Sequence, residues 1–128
     1  YGDAEGELDC IAVIDELMIS STRLYANPRA LETVASREAA EQLVLLLRSV
    51  LEARRRVMIE VNVPGEALDA VVDVLPAMRK PTISVLHGEK GYAIKAAVPR
   101  ESLPGLIPAI KARGGADVVV TEPSQIVC

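Results

Sequence analysis

Four positions carry small or hydrogen-bonding side chains at matched places in the sequence: Asn62, Thr82, Ala97 and Asp117. Asn62 and Ala97 are 35 residues apart, and the same interval separates Thr82 from Asp117. Amide, hydroxyl and carboxylate groups at such related positions are suited to holding a small polar ligand by hydrogen bonds. The alternative is that these side chains simply face water, and the pattern alone leaves both interpretations open.

The remaining sequence offers no recognisable catalytic constellation. It contains no Gly-rich phosphate-binding loop, no carboxylate pair with a supporting histidine, no Cys-His set and no cluster with metal-ligand spacing. The single histidine, His87, falls in a predicted turn, where a solvated role is favoured over a catalytic one. Cys10 and Cys128 stand near opposite ends without the spacing of a disulfide framework or a zinc site. We therefore predict no catalytic residue and no metal ligand in this chain.

An internal repeat determines where the four residues lie. The motif Val63-Pro64-x-Glu66-x-Leu68 recurs 35 residues later as Val98-Pro99-x-Glu101-x-Leu103, and aliphatic residues follow at helical spacing in both copies. Each copy follows one alternating apolar run and precedes another, which predicts strands over residues 57–63, 81–86, 92–98 and 117–121. Two strand-helix-strand units in tandem predict an α+β, ferredoxin-like βαββαβ domain, whose four-stranded sheet carries two helices on one face.

The alternation in the predicted strands separates two faces of the sheet. Aliphatic residues point toward the helices, and the opposite face collects Asn62, Thr82, Ser84, Lys95, Ala97, Asp117 and Thr121. A sheet with helices on one side leaves its other face to water or buries it against a partner. We therefore expect a small polar ligand either on this open face or where two such faces meet.

The residues before the repeat predict a strand and a helix. Residues 10–26 are rich in β-formers and read as one long strand or two short ones, closed by a turn at Asn27-Pro28. An amphipathic helix is predicted from an N-cap at Ser36 to about Arg54, with an apolar stripe at Leu43, Leu46, Leu47, Val50 and Leu51. Arg54 to Arg56 suit the carbonyl end of the helix dipole, a role favoured over that of a functional basic patch.

Composition excludes several classes of protein. Half of the 128 residues are apolar, the net charge is −4, and the only aromatic residues are three tyrosines. A nucleic-acid surface would need a basic face with stacking rings, so we expect no nucleic-acid partner. No apolar run approaches the roughly 20 residues that span a bilayer, and no signal peptide is visible, so we expect a soluble, cytoplasmic protein without a membrane partner.

Several motifs, taken together and in order over residues 57–128, resemble the long, self-regulated form of ATP phosphoribosyltransferase. They are Val61-Asn62-Val63-Pro64 with Ala67-Leu68, Leu75-Pro76, Lys80-Pro81-Thr82-Ile83-Ser84, Ala93-Ile94 through Val98-Pro99-Arg100, Leu106-Ile107-Pro108-Ala109-Ile110-Lys111 and Gly114-Gly115-Ala116. Upstream, residues 13–17 and 21–28 resemble the segment that returns at the end of that family's catalytic region. The helix over residues 36–53 resembles its connector.

The resemblance implies a function and a division of the chain. The family is a glycosyltransferase that joins ATP and phosphoribosyl pyrophosphate, with Mg²⁺, in the first step of histidine biosynthesis. Its C-terminal βαββαβ domain binds L-histidine, which inhibits the enzyme by feedback as a hexamer. By this resemblance, residues 1–56 are the end of an α/β catalytic region with a connector helix, and residues 57–128 are the regulatory domain. A homo-oligomer, dimer or hexamer, is implied.

The resemblance also assigns the site. L-histidine would contact Asn62 through its amino group or imidazole, the hydroxyl of Thr82, and mainly the backbone of Ala97 and Asp117. Asp117 stands where the family usually has a small residue, which would alter the charge or shape of the pocket. Gly115 replaces a common alanine, a change expected to be benign.

The front of the chain departs from the family. The phosphate-binding loop would lie at or before Tyr1, and Tyr1 to Asp9 do not match it. Whether the chain is an enzyme is thus left open, and we expect no turnover by these residues alone. The Mg²⁺ of the family would bind in the missing catalytic region, so no cofactor is expected in this chain.

Two other interpretations belong to different classes of protein. One is a free-standing small-molecule sensor of ferredoxin-like fold, and the other is a purely structural oligomerisation module. The predicted helix discriminates between these and an enzyme part, because its leucine stripe would have no partner in a free sensor.

Overall fold

The computed structural model describes residues 12–88 and 90–128. Its helices are α1 (Val34–Arg55), α2 (Leu68–Val72) and α3 (Leu103–Ala112), and its strands are β1 (Arg56–Pro64), β2 (Thr82–Val85), β3 (Gly91–Pro99) and β4 (Val118–Thr121). Short 3₁₀ turns at Gly65–Ala67 and Arg100–Ser102 lead into α2 and α3. From β1 onward the order is βαββαβ, which confirms the predicted ferredoxin-like α+β domain.

The strands form one antiparallel sheet in the order β2-β3-β1-β4, with the two long strands in the centre. Alternate residues of β1 and β3 are buried under α2 and α3, as the alternation predicted. Because both central strands present β-branched side chains to the same side, these interlock with the helices into one apolar core. The core residues are Val57, Ile59, Val61, Val63, Val71, Ile94, Ala96, Val98, Leu106 and Ile110.

Neither repeat helix begins directly at the proline of its motif. Pro64 and Pro99 are the last residues of β1 and β3, and each is followed by a 3₁₀ turn before the helix. The α2 helix is also short, ending at Val72 rather than near Leu75. Pro108 lies inside α3, a ten-residue helix that continues past it to Ala112.

The 35-residue repeat is exact in the pairing of β1 with β3 and is broken in β4. Glu60 lies opposite Lys95, and the pairs on either side are symmetric about them. Thr82 of β2 also pairs with Lys95, so exact symmetry would place Asp117 opposite Glu60. Glu60 instead pairs with Val119, two residues further on. The predicted equivalence of Thr82 and Asp117 is therefore wrong by two residues, and a slip of two keeps Asp117 on the same face.

The upstream strand predicted over residues 10–26 is wrong for the part that the structure describes. Residues 12–26 have no regular secondary structure, and residues 10 and 11 lie outside the described part. Val13 and Leu17 are 93% and 94% exposed. A strand is stabilised by hydrogen bonds to a neighbouring strand, and among residues 12–88 and 90–128 the sheet consists of β1 to β4.

The α1 helix begins at Val34, with Thr33 rather than Ser36 as its N-cap residue. Its buried residues are the small Ser49 and Ala53, near its C-terminal end. The predicted leucine stripe is instead about half exposed, and so is the consecutive run Leu45, Leu46 and Leu47. Consecutive residues point 100° apart around a helix, so this part of α1 is apolar on more than one side.

Gly115 is closely packed beneath β4, where an added side chain would meet the apolar core. A Cβ at this position would lie 2.3 Å from Ile110 Cγ2 and 3.2 Å from Val61 Cγ1. Both of these side chains are fully buried, so neither can move aside freely.

In the part of the chain that the structure describes, no helix is long and apolar enough to cross a membrane.

Candidate ligand-binding site on the open face of the sheet

The strand register arranges the open face into rows that run across the sheet. The central row is Thr82, Lys95, Glu60 and Val119. A second row contains Asn62, Ala93 and Ser84, and a third contains Met58, Ala97 and Thr121. Neighbouring rows are two residues apart along each strand, which corresponds to about 7 Å.

Asn62 and Asp117 are neighbours in the second row. The backbone N–H of Asn62 donates to the carbonyl of Asp117 at 3.1 Å, and the Asn62 carbonyl accepts from Ala116 N–H at 2.7 Å. These bonds fix the two backbones side by side, and the side chains meet as well, with Asn62 Nδ2 3.3 Å from Asp117 Oδ2. The result is a polar pair with free acceptor atoms, since Asp117 is exposed and Asn62 is half-buried.

Thr82 and Ala97 lie elsewhere on the same face. Thr82 is at the edge of the central row, and Ala97 is in the third row, diagonal to it. Asn62 and Ala97 are thus separated by two rows, about 14 Å along the strands. That distance exceeds the length of one free amino acid, so the predicted residues form two separate pairs within a single chain.

An ion pair occupies the centre of the open face between the two pairs. Lys95 Nζ lies 2.6 Å from Glu60 Oε1, and both side chains are about half exposed. Lys95 was expected on this face, whereas its partner Glu60 was not. The sequence contains the information that would pair them, because residues 60 and 95 occupy the same position in the two copies of the repeat.

Chemically, the Asn62–Asp117 pair suits the recognition of a cationic or donor-bearing group. A carboxylate accepts charge-assisted hydrogen bonds from ammonium or imidazolium, and the adjacent amide supplies a second acceptor. The Thr82 hydroxyl both donates and accepts, so it suits a neutral or anionic group.

Metal binding is not supported by the described residues. Within residues 12–88 and 90–128, no group of three His, Cys, Asp or Glu side chains could hold a metal ion. The Mg²⁺ expected from the resemblance therefore has no fitting ligand set in this part, and no step below depends on it.

Sequence comparison gives the family of the chain. Residues 53–124 match the family model described as "HisG, C-terminal domain". The chain belongs to the HisG C-terminal domain family. The matched range begins in the last turn of α1 and includes every strand of the sheet, all three of its rows and both residue pairs.

Full-length relatives extend the match upstream. ATP phosphoribosyltransferases from Pelotomaculum thermopropionicum, Natronomonas pharaonis and Methanocaldococcus jannaschii are 37%, 36% and 34% identical over 109, 117 and 120 residues. These matches cover 85%, 91% and 93% of the chain but only 38%, 40% and 42% of the relatives. The chain thus spans about two fifths of their length and corresponds to their C-terminal part. The match to the Methanocaldococcus jannaschii enzyme covers 93% of the chain. It therefore includes α1 and nearly all of the residues that precede α1.

Proposed function

We propose that this HisG-family chain is the L-histidine-binding regulatory part of an ATP phosphoribosyltransferase. The complete enzyme would join ATP to phosphoribosyl pyrophosphate, using Mg²⁺ in its catalytic region, and L-histidine bound to this chain would inhibit it by feedback. The observation that carries the proposal is the Asn62–Asp117 pair, held on the open face of a domain whose family match includes both residues. An amide beside a carboxylate offers the acceptors that the amino group or the imidazole of L-histidine requires.

The separation of the two pairs supports a site shared between copies of the chain. One L-histidine bound at Asn62 and Asp117 does not reach Ala97 within the same sheet. All four residues would contact one ligand if the open face or sheet edge of a second copy brought its Thr82–Ala97 pair to the first copy's Asn62–Asp117 pair. This arrangement agrees with the homo-oligomer expected from the resemblance.

The exposed leucines of α1 favour an enzyme part over a free-standing sensor. Leu45, Leu46 and Leu47 are each about half exposed and cover several sides of the helix, which is typical of a helix buried by other elements. The relatives align through this helix, and about three fifths of their own length lies outside the match. We propose that residues 1–56 belong with the catalytic region and that residues 57–128 form the regulatory domain.

The direct test is a calorimetric titration of the chain with L-histidine, accompanied by thermal melts. Binding should release or absorb heat and should raise the melting temperature as the ligand concentration increases. Absence of both effects across millimolar L-histidine would contradict the proposal and would favour the structural oligomerisation module.

A substitution then tests the second residue pair. Thr82→Val removes the hydroxyl while preserving the shape of the side chain, and because Thr82 is exposed it should weaken L-histidine binding by about 0.5–1.5 kcal/mol, the net contribution of one hydrogen bond. Thr22→Val is the matched control, because Thr22 lies in the exposed segment away from the sheet. Equal affinity of the Thr82→Val variant and the native chain would remove Thr82 from the site.

A further inference from the structure

The C-terminal tail, residues 122–128, runs from the end of β4 back to α1. The backbone N–H of Ile126 donates to the carbonyl of Ser49 at 3.0 Å, and the Ile126 side chain is half-buried. Ser49 lies within α1 and is only 2% exposed. Its hydroxyl donates to the Leu46 carbonyl at 2.7 Å, so the side chain turns back onto its own helix. A small residue at this position lets the backbone of the tail approach the helix closely.

A second set of contacts links the tail to α1 through Arg100. Arg100 Nε donates to the carbonyl of Arg54 at 3.2 Å, and Arg100 Nη1 lies 2.6 Å from Glu122 Oε1. Arg54 is in the last turn of α1, Arg100 precedes α3, and Glu122 directly follows β4. The equivalent of Arg100 in the first copy of the repeat is Gly65, which has no such side chain. This contact is therefore specific to the second half of the domain.

The β4 strand connects the tail to the candidate ligand site. Asp117 immediately precedes β4 and Glu122 immediately follows it. The strand is four residues long and pairs only with β1, so it lies at the edge of the sheet. A short edge strand held on one side shifts more readily than the central strands. A ligand that pulls on Asp117 would therefore displace the residues that hold α1.

We propose that residues 122–128 are a strap through which ligand binding at Asn62 and Asp117 controls the position of α1. The inference rests on the proposed function, because it takes L-histidine as the ligand. The helix is 22 residues long, about 33 Å, while its buried residues are confined to its C-terminal part. A small rotation at Ser49 and Arg54 would then become a large displacement at Val34, where the chain enters from the upstream segment. Coupling of this kind requires an element that both sites contact, and residues 122–128 join the end of β4 to α1.

Hydrogen–deuterium exchange of the native chain and of the Ile126→Pro variant tests the strap. Proline has no N–H to donate to Ser49, and Val127→Pro is the matched control because the N–H of Val127 has no backbone acceptor among the described residues. Without ligand, the last turns of α1 should exchange about two- to tenfold faster in Ile126→Pro, with β1 and β3 unchanged. Equal exchange of α1 in the two chains would overturn the proposal.

Addition of L-histidine completes the experiment. In the native chain, L-histidine should alter hydrogen exchange in the last turns of α1. In Ile126→Pro this change should be lost, while the affinity for L-histidine should stay within about twofold of the native value. An unchanged response of α1 in the variant would overturn the strap as the route of coupling. If calorimetry finds no L-histidine binding to the native chain, the proposed function fails and the coupling to that ligand fails with it. The ligand-free comparison still decides whether the tail holds α1.

Discussion

Replacement of Asp117 by asparagine isolates the contribution of charge to the proposed site. Asparagine keeps an acceptor oxygen for Asn62 Nδ2, so the local contact between the two side chains is preserved. What is lost is the negative charge facing the ammonium or imidazolium of L-histidine. This variant also tests whether the carboxylate takes part in binding.

The magnitude follows from the exposure of the side chain. Two unit charges about 4 Å apart attract by roughly 1 kcal/mol in water and roughly 4 kcal/mol near a protein surface of effective dielectric constant about 20. Asp117 is exposed, so we take the lower end of this range. Asp117→Asn should therefore weaken L-histidine binding by about 1–1.5 kcal/mol, a five- to tenfold rise in Kd.

Calorimetry at two ionic strengths gives a sharp readout. The native chain should lose affinity as salt screens the attraction, and the Asp117→Asn variant should show a much weaker dependence on salt. Asp73→Asn is the matched control, since Asp73 is an exposed residue at the end of α2, beneath the opposite side of the sheet. If the Kd of Asp117→Asn at low salt stays within twofold of the native value, the charge of Asp117 does not contribute to binding. An equal loss of affinity in Asp73→Asn would likewise refute a specific role for Asp117.

Three further predictions concern stability and activity. Gly115→Ala should destabilise the fold by about 1–3 kcal/mol in urea unfolding, through the clash with Ile110, whereas Gly105→Ala, with open space around its Cβ, should be neutral or stabilising. Glu60→Lys should cost up to about 1 kcal/mol by placing like charges opposite each other, and combining it with Lys95→Glu should restore stability. The chain alone should transfer no phosphoribosyl group to ATP in an absorbance assay, and measurable turnover would contradict that expectation.

The sheet and its core were predictable because local and long-range signals agree. Alternation in β1 and β3 gives both the strands and the buried face, and the exact repeat gives their mutual register. Pro64 suits the first position of a helix, but it and Pro99 end strands and have an extended backbone, with ψ values of 153° and 133°. Proline is compatible both with an extended backbone and with the first position of a helix, so the sequence alone does not distinguish the two.

The sequence predicts that the four residues share the open face of the sheet, but it does not predict how they are grouped there. The open face contains all four expected positions, since alternation fixes which side of the sheet each side chain takes. Their grouping depends on how β2 and β4 align with the central strands, and α2 with its following loop differs in length from α3 with Gly114-Gly115. Nothing in the repeat reveals the resulting slip of two residues in β4.

The region before β1 contains one segment whose structure depends on a partner strand and one helix whose structure does not. Residues 12–26 have the composition of a strand, but strand formation requires a partner that this chain does not provide among its described residues. The α1 helix forms where predicted because its hydrogen bonds are internal, although its leucine stripe is left without cover. Helices can thus be predicted without their neighbours, and strands cannot.

The ion pair between Glu60 and Lys95 records how the two halves of the domain have diverged. These residues are equivalent in the repeat and face each other at its symmetry axis. In a dimer of two identical half-domains, the residue at that position would meet its own copy, so an acid would oppose an acid. The two halves of this chain differ at that position, so an acid opposes a base there. A chain built from two first halves would repel itself at the centre of the sheet, and the two halves are consequently no longer interchangeable.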